Sequence, residues 1–123
     1  MAFEYAVLRV VPRVDRGEYV NGAVLLYCQA ADYLGIRVRA DLGCVRALWS
    51  EADLVAIVQA LAGARAVAEG SPEAGGAGTG DPGRRFRWLT APRSVVIQPG
   101  PVHTGVTDDP AGELERIAAR MLG

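Results

Sequence analysis

His103 is the one side chain in this sequence whose ordinary pKa suits proton transfer near neutrality. Ser94, nine residues earlier, is the candidate nucleophile to accompany it, and the two together would serve a small hydrolase or transferase. The plainer reading makes His103 a hydrogen-bonding residue in a Pro/Gly loop, because catalysis needs a placed partner and sequence separation fixes no distance. Arg13, Arg16 and Arg93 present planar forks suited to carboxylate or phosphate. With Glu18, Asn21 and Gln98 near them in sequence, they are the ligand-binding candidates, converging as an arginine-lined anion cleft if their strands share a sheet. Against that stands a solvated loop in which Arg13 and Arg16 pair with Asp15 and Glu18, each pair contributing at most about 1 kcal/mol. Asn21-Gly22 also reads as a turn pair.

Composition removes several mechanisms. Every one of the 13 basic residues is Arg, so Schiff-base chemistry, a phosphate-loop lysine and a pyridoxal-phosphate anchor all lack their amine. A single His excludes zinc sites built on two or more histidines, and Cys28 and Cys44 do not have CxxC spacing. No metal and no cofactor is therefore expected. A formal charge of −1 denies the chain a uniform basic field for nucleic acid. Arg84, Arg85, Arg87 and Trp88 offer only weak nucleic-acid binding, since alternation along a strand would split them between two faces. GTGDPG, residues 78–83, fits GxGxxG formally, but that motif works only between a strand and a helix N-terminus. Gly-rich chain precedes it here, and RRFRW after it reads as strand.

The elements that must hold these groups follow from periodicity. Phe3 to Val11 carries apolar side chains at both parities and predicts an inner strand ended by Pro12. A second strand follows over Gly22 to Gln29. Tyr33 to Ala40 alternates Leu34, Ile36 and Val38 with Gly35, Arg37 and Arg39, a third strand in an antiparallel arrangement. Leu42, Val45, Leu48 and Trp49 predict a short helix or turn. Ser50 as N-cap and the stripe Leu54, Ile57, Val58 and Leu61 then predict a helix from 50 to 69, closed by Gly70. Residues 70–83, with six Gly and two Pro, read as a flexible surface loop without an apolar anchor, dispensable to the fold. Phe86 to Thr90 and Ser94 to Gln98 read either as two short strands around Ala91-Pro92 or as one strand interrupted there by an edge bulge, followed by an irregular loop carrying His103. Asp109-Pro110 starts a last helix, 109–122, with the stripe Leu114, Ile117, Ala118 and Met121.

Two strings, YAVLRVVPRVDRGEYVNGAVLLYC and APRSVVIQPGPVHTG, resemble the bacterial domain-of-unknown-function family numbered 3037 in order and spacing. Gly22-Ala23 departs from the bulky aliphatic usual after the Asn, and the Gly-rich insert is this chain's own. The resemblance covers essentially the whole chain and implies that Arg13, Gly17, Glu18, Asn21, Arg93, Ser94, Gln98 and His103 are the positions to test. It also implies a protein partner of the HipA-like kinase class.

The expected fold is α+β: one domain over 1–123, an antiparallel sheet of four or five strands with two main helices packed on one face. The expected function is a non-enzymatic interaction or accessory domain with a protein partner and room for a small anionic ligand. The rival is the hydrolase or transferase using His103 and Ser94. One cysteine pair without a signal-like start suggests reduced, buried thiols in the cytoplasm, and no apolar stretch reaches the ~20 residues of a membrane helix.

Overall fold

A computed structural model of the chain describes residues 1–13, 17–93 and 96–122. Strand β1 (Ala2–Arg13) pairs antiparallel with β2 (Glu18–Cys28), which pairs with β3 (Tyr33–Val38). Helices α1 (Gly43–Leu48) and α2 (Leu54–Glu69) follow, then a 3-10 segment over Pro72–Gly78 and α3 (Pro82–Thr90). Strands β4 (Ile97–Pro99) and β5 (His103–Val106) return to the sheet before α4 (Pro110–Met121). The order is β3-β2-β1-β4, and β5 also pairs with β1. β5 lies along Ala2–Tyr5 and β4 along Leu8–Val10, so they occupy successive stretches of one edge of β1. The five-stranded antiparallel sheet and the α+β class agree with the sequence.

The two long helices do not share a face. Leu8, Val10, Ala23 and Leu25 point to one side, against Ile57, Leu61 and Val67 of α2 and Phe86 and Leu89 of α3. Phe3, Val7, Val24, Leu26 and Cys28 point to the other, against Leu114, Ile117 and Ala118 of α4. The reason is legible in β1 and β2: both are apolar at both parities, and a sheet so built must be covered twice. Each large side chain so buried contributes about 1.5–3 kcal/mol before entropy.

Several local expectations are corrected. α2 starts at Leu54, capped by Asp53, whose carboxylate accepts from Ala56 N at 3.0 Å, and not by Ser50. Its buried stripe is Ile57, Leu61, Ala64, Val67 and Ala68, while Val58 is exposed. Gly70 closes it in the left-handed region (φ +67°), as expected. The 70–83 segment has an anchor after all: Ala74 and Ala77 pack against the α2 side of the core, Gly78 is buried, and Gly80 O accepts from Arg85 Nη1 at 2.6 Å. Phe86 to Thr90 is helix, not strand. Asp81 caps it by accepting from Arg84 N at 2.8 Å, Pro82 takes the first turn, and Phe86 and Leu89 are its buried positions. Asn21-Gly22 is no turn: the register passes from Leu8↔Ala23 to Arg9↔Asn21, leaving Gly22 as a bulge inside β2. A Cβ on Gly22 would stand 2.7 Å from Val10 Cγ2 and 3.3 Å from Leu61 Cδ2, so only glycine lets α2 lie this close.

Candidate functional site

α4 lies over β2 and β3, and on the β1, β4 and β5 side of the same face Phe3 and Val7 are buried, whereas Tyr5, Arg9 and Gln98 are half-buried and His103 is exposed, so that strip is open to water. Register decides which side chains stand there. Asn21 of β2, Arg9 of β1 and Gln98 of β4 are cross-strand partners in one row, on the α4 side. Four residues along β1 on the same face, Tyr5 pairs with His103 of β5, and their rings stack with centroids 5.0 Å apart and planes inclined at 29°. His103 is exposed, and it begins a strand where the sequence predicted irregular loop.

Arg9 is the charged centre of this surface. Its guanidinium carbon sits 4.2 Å over the ring of Tyr19, which is 46% exposed, a cation–π contact near water. Gly100 makes room for it, since a Cβ there would come 3.1 Å from Arg9 Nε. Gly100 N donates to Val7 O at 2.8 Å, which holds the chain after β4 flat against β1. The opposite border is the end of α4: Asn21 Nδ2 donates to Met121 O at 3.1 Å, and Arg39 Nε donates to Asn21 O at 2.7 Å. Asn21 thus ties the bulge to β3 and α4, and its amide is committed to structure.

The single cleft expected from the sequence therefore divides. Asn21, Gln98 and His103 share one face, as the pairing of β4 and β5 with β1 requires. Arg93 does not join them. It lies on the α2 side, where its Nη2 donates to Trp88 O, its Nε donates to Ala91 O at 3.3 Å, and its guanidinium carbon is 4.3 Å from the Trp88 ring. Arg13 pairs with Glu18 through the main chain, and Glu18 is exposed at that end of the hairpin. Arg16 and Ser94 lie outside the described residues, so the Ser94–His103 pairing has no geometry to examine. Arg84, Arg85, Arg87 and Trp88 form no bare basic stripe. Arg87 bridges to Glu4 at 2.6 Å, and Arg85 binds the carbonyls of Gly80 and Ala68. A helix does open at the end of GTGDPG, at Pro82, contrary to expectation, but its Arg84 N–H meets the Asp81 carboxylate and no strand precedes the glycines. Among the described residues no three of His, Cys, Asp and Glu gather as metal ligands, and no single helix is long and apolar enough to cross a membrane.

Tyr5, Arg9 and Tyr19 were missed in the sequence as site residues. A signal existed: alternation along β1 puts Phe3, Tyr5 and Val7 on one face, and Arg9 is the next position on it.

Fold and site define a small α+β protein whose twice-covered sheet carries one open aromatic and polar area. A family model described as "Protein of unknown function (DUF3037)" matches residues 5–122, and the chain belongs to that family. No curated protein and no solved structure matches it significantly.

Proposed function

We propose that this chain is a non-enzymatic interaction domain that acts in the cytoplasm, docking a protein partner on the open part of the sheet. The observation that carries this reading is the arrangement of Arg9 on Tyr19 beside the Tyr5–His103 stack. Tyr and Arg are the residue types enriched at the energetic centres of protein interfaces, because they combine large rigid area with directed hydrogen bonds. The guanidinium asks for an acidic side chain opposite. Cys28 and Cys44 are free thiols, which suits a reducing compartment. A HipA-like kinase, the partner class that the family resemblance suggests, is the first to try.

The test is co-purification of the tagged chain with a HipA-like kinase of the same organism, followed by titration. Arg9→Glu should weaken the complex about tenfold or more, the scale of one lost interface anchor. Arg46→Glu, exposed on α1 away from the open area, should leave it unchanged. No complex, or one indifferent to Arg9, would overturn the assignment.

A further inference from the structure

On the other face of the sheet, α2, the 72–78 segment and α3 surround a cavity of about 370 Å3. Side-chain size explains it. α2 turns Ala60, Gly63 and Ala64 toward the space, and the 72–78 segment adds Ala74 and Ala77, where helix-on-sheet packing ordinarily interleaves larger groups. The floor is Leu8 of β1, Ile97 of β4 and Leu89 of α3, all buried. Protein interiors hold few voids larger than a water molecule, whereas small-molecule pockets begin at about 300 Å3 and combine apolar walls with a few placed polar groups.

Arg93 is the placed group. Bonds from its Nε and Nη2 to the Ala91 and Trp88 carbonyls, and its stack on the Trp88 ring, fix the plane of the guanidinium. A fork held in this way loses little rotamer freedom when it binds. Glu73, exposed on the 72–78 segment, is the other charge on the lining. A negative ligand group is attracted by Arg93 and repelled by Glu73, so the two charges fix which way round it enters.

We propose that this cavity binds a small carboxylic acid with an apolar body, its carboxylate on Arg93 and its hydrocarbon over Leu8, Leu89 and Ile97. The site lies across the sheet from the partner surface and does not depend on that reading.

The experiment is an NMR titration of the 15N-labelled chain with octanoate and 3-phenylpropanoate, and with the matching primary amides as neutral controls. Saturable shifts are expected at the amides of Gly63, Ala64, Ala74 and Ala77, with the acids bound about tenfold tighter than the amides. Arg93→Gln should abolish that preference and keep the affinity for the amides. Gly63→Leu should abolish binding of both, because a Cβ at this position meets nothing within 4 Å and the side chain can enter the cavity. Absence of saturable shifts with either acid, shifts confined to other regions, or a preference for acid that survives Arg93→Gln would overturn the proposal. Should Arg93→Gln fail to fold, Glu73→Gln decides. A severalfold gain in acid affinity with amide affinity unchanged supports the site, and no gain overturns it.

Discussion

Replacing residues 72–82 by a short Gly-Ser link tests how far this glycine-rich stretch supports the fold. Three contributions are lost. Ala74 and Ala77 leave the α2 side of the core, which removes about 1.5 kcal/mol of apolar burial. The Asp81 cap of α3 goes, at about 1 kcal/mol. Arg85 loses Gly80 O, its 2.6 Å acceptor, and a hydrogen bond to a charged donor contributes about 1.5–3 kcal/mol. Its Nε is already buried without a partner, and the one bond left to the guanidinium is the long one from Nη2 to Ala68 O at 3.5 Å. Shortening the connection returns under about 1 kcal/mol of closure entropy. The net loss is about 3–5 kcal/mol, and at roughly 3–5 °C per kcal/mol for a chain of this size the melting temperature should fall by about 10–25 °C. Circular dichroism melts of the variant and the parent chain measure it. Gly76→Ser, at a point where a Cβ meets nothing within 4 Å, serves as the neutral control. A cooperative transition within a few degrees of the parent would mean that the segment contributes nothing to the core, and would restore the dispensable loop that composition alone predicts.

Burial, with Glu115 and Asp109 adding to it, raises the Tyr33 phenol above its ordinary value near 10. The folded state therefore favours the protonated phenol: its contribution is complete below about pH 10 and is lost as pH rises through the folded value. Denaturant midpoints measured between pH 9 and about 11 should fall with pH in the parent and fall less in Tyr33→Phe; parallel curves would contradict the assignment. For the thiols, Cys28 is fully buried in β2 and Cys44 is half-buried at the start of α1. A thiol reagent followed by peptide mass spectrometry should modify Cys44 well before Cys28 in native buffer, and equal rates would show that β2 opens readily.

What the sequence discloses depends on how many neighbouring positions repeat the same signal. β1, β2 and β3 are readable because each carries five or more positions of alternating or continuous apolar character, and α4 because Asp109-Pro110 and a four-residue stripe agree. α3 is the instructive failure. Only Phe86 and Leu89 among its nine residues are buried, and Arg-Arg-Phe-Arg-Trp looks alternating when the window is that short. Yet Asp81-Pro82 is the same start signal as Asp109-Pro110, and giving it equal weight would have found the helix. The division of the site follows from the same cause. A strand at 86–90 would have left Arg93 in sheet context, whereas α3 turns the chain so that Arg93 folds back on Trp88. Glycine content misled in a different way at 70–83, because Ala74, Ala77 and Gly78 pack by being small, and a hydrophobic pattern does not register small residues.

The place of β1 in the sheet has a consequence for how the chain is made. Its β2 neighbour follows within a few residues, so the hairpin forms as soon as both are synthesised. Its other edge waits for residues 97–106, which supply β4 and β5. At about 5–20 residues per second the ribosome takes roughly 4–17 s to travel from Arg13 to Ile97. Throughout that interval Ala2–Val10 presents unpaired backbone along one side and apolar rows above and below, the arrangement that invites pairing with another nascent chain. Moving the coding order so that β4 and β5 precede β1, by circular permutation, would shorten the exposure while keeping the strand pairing, at the loss of the bond from the Met1 ammonium to Thr107 O at 2.6 Å, and the yield of soluble chain would report how much that delay costs the cell.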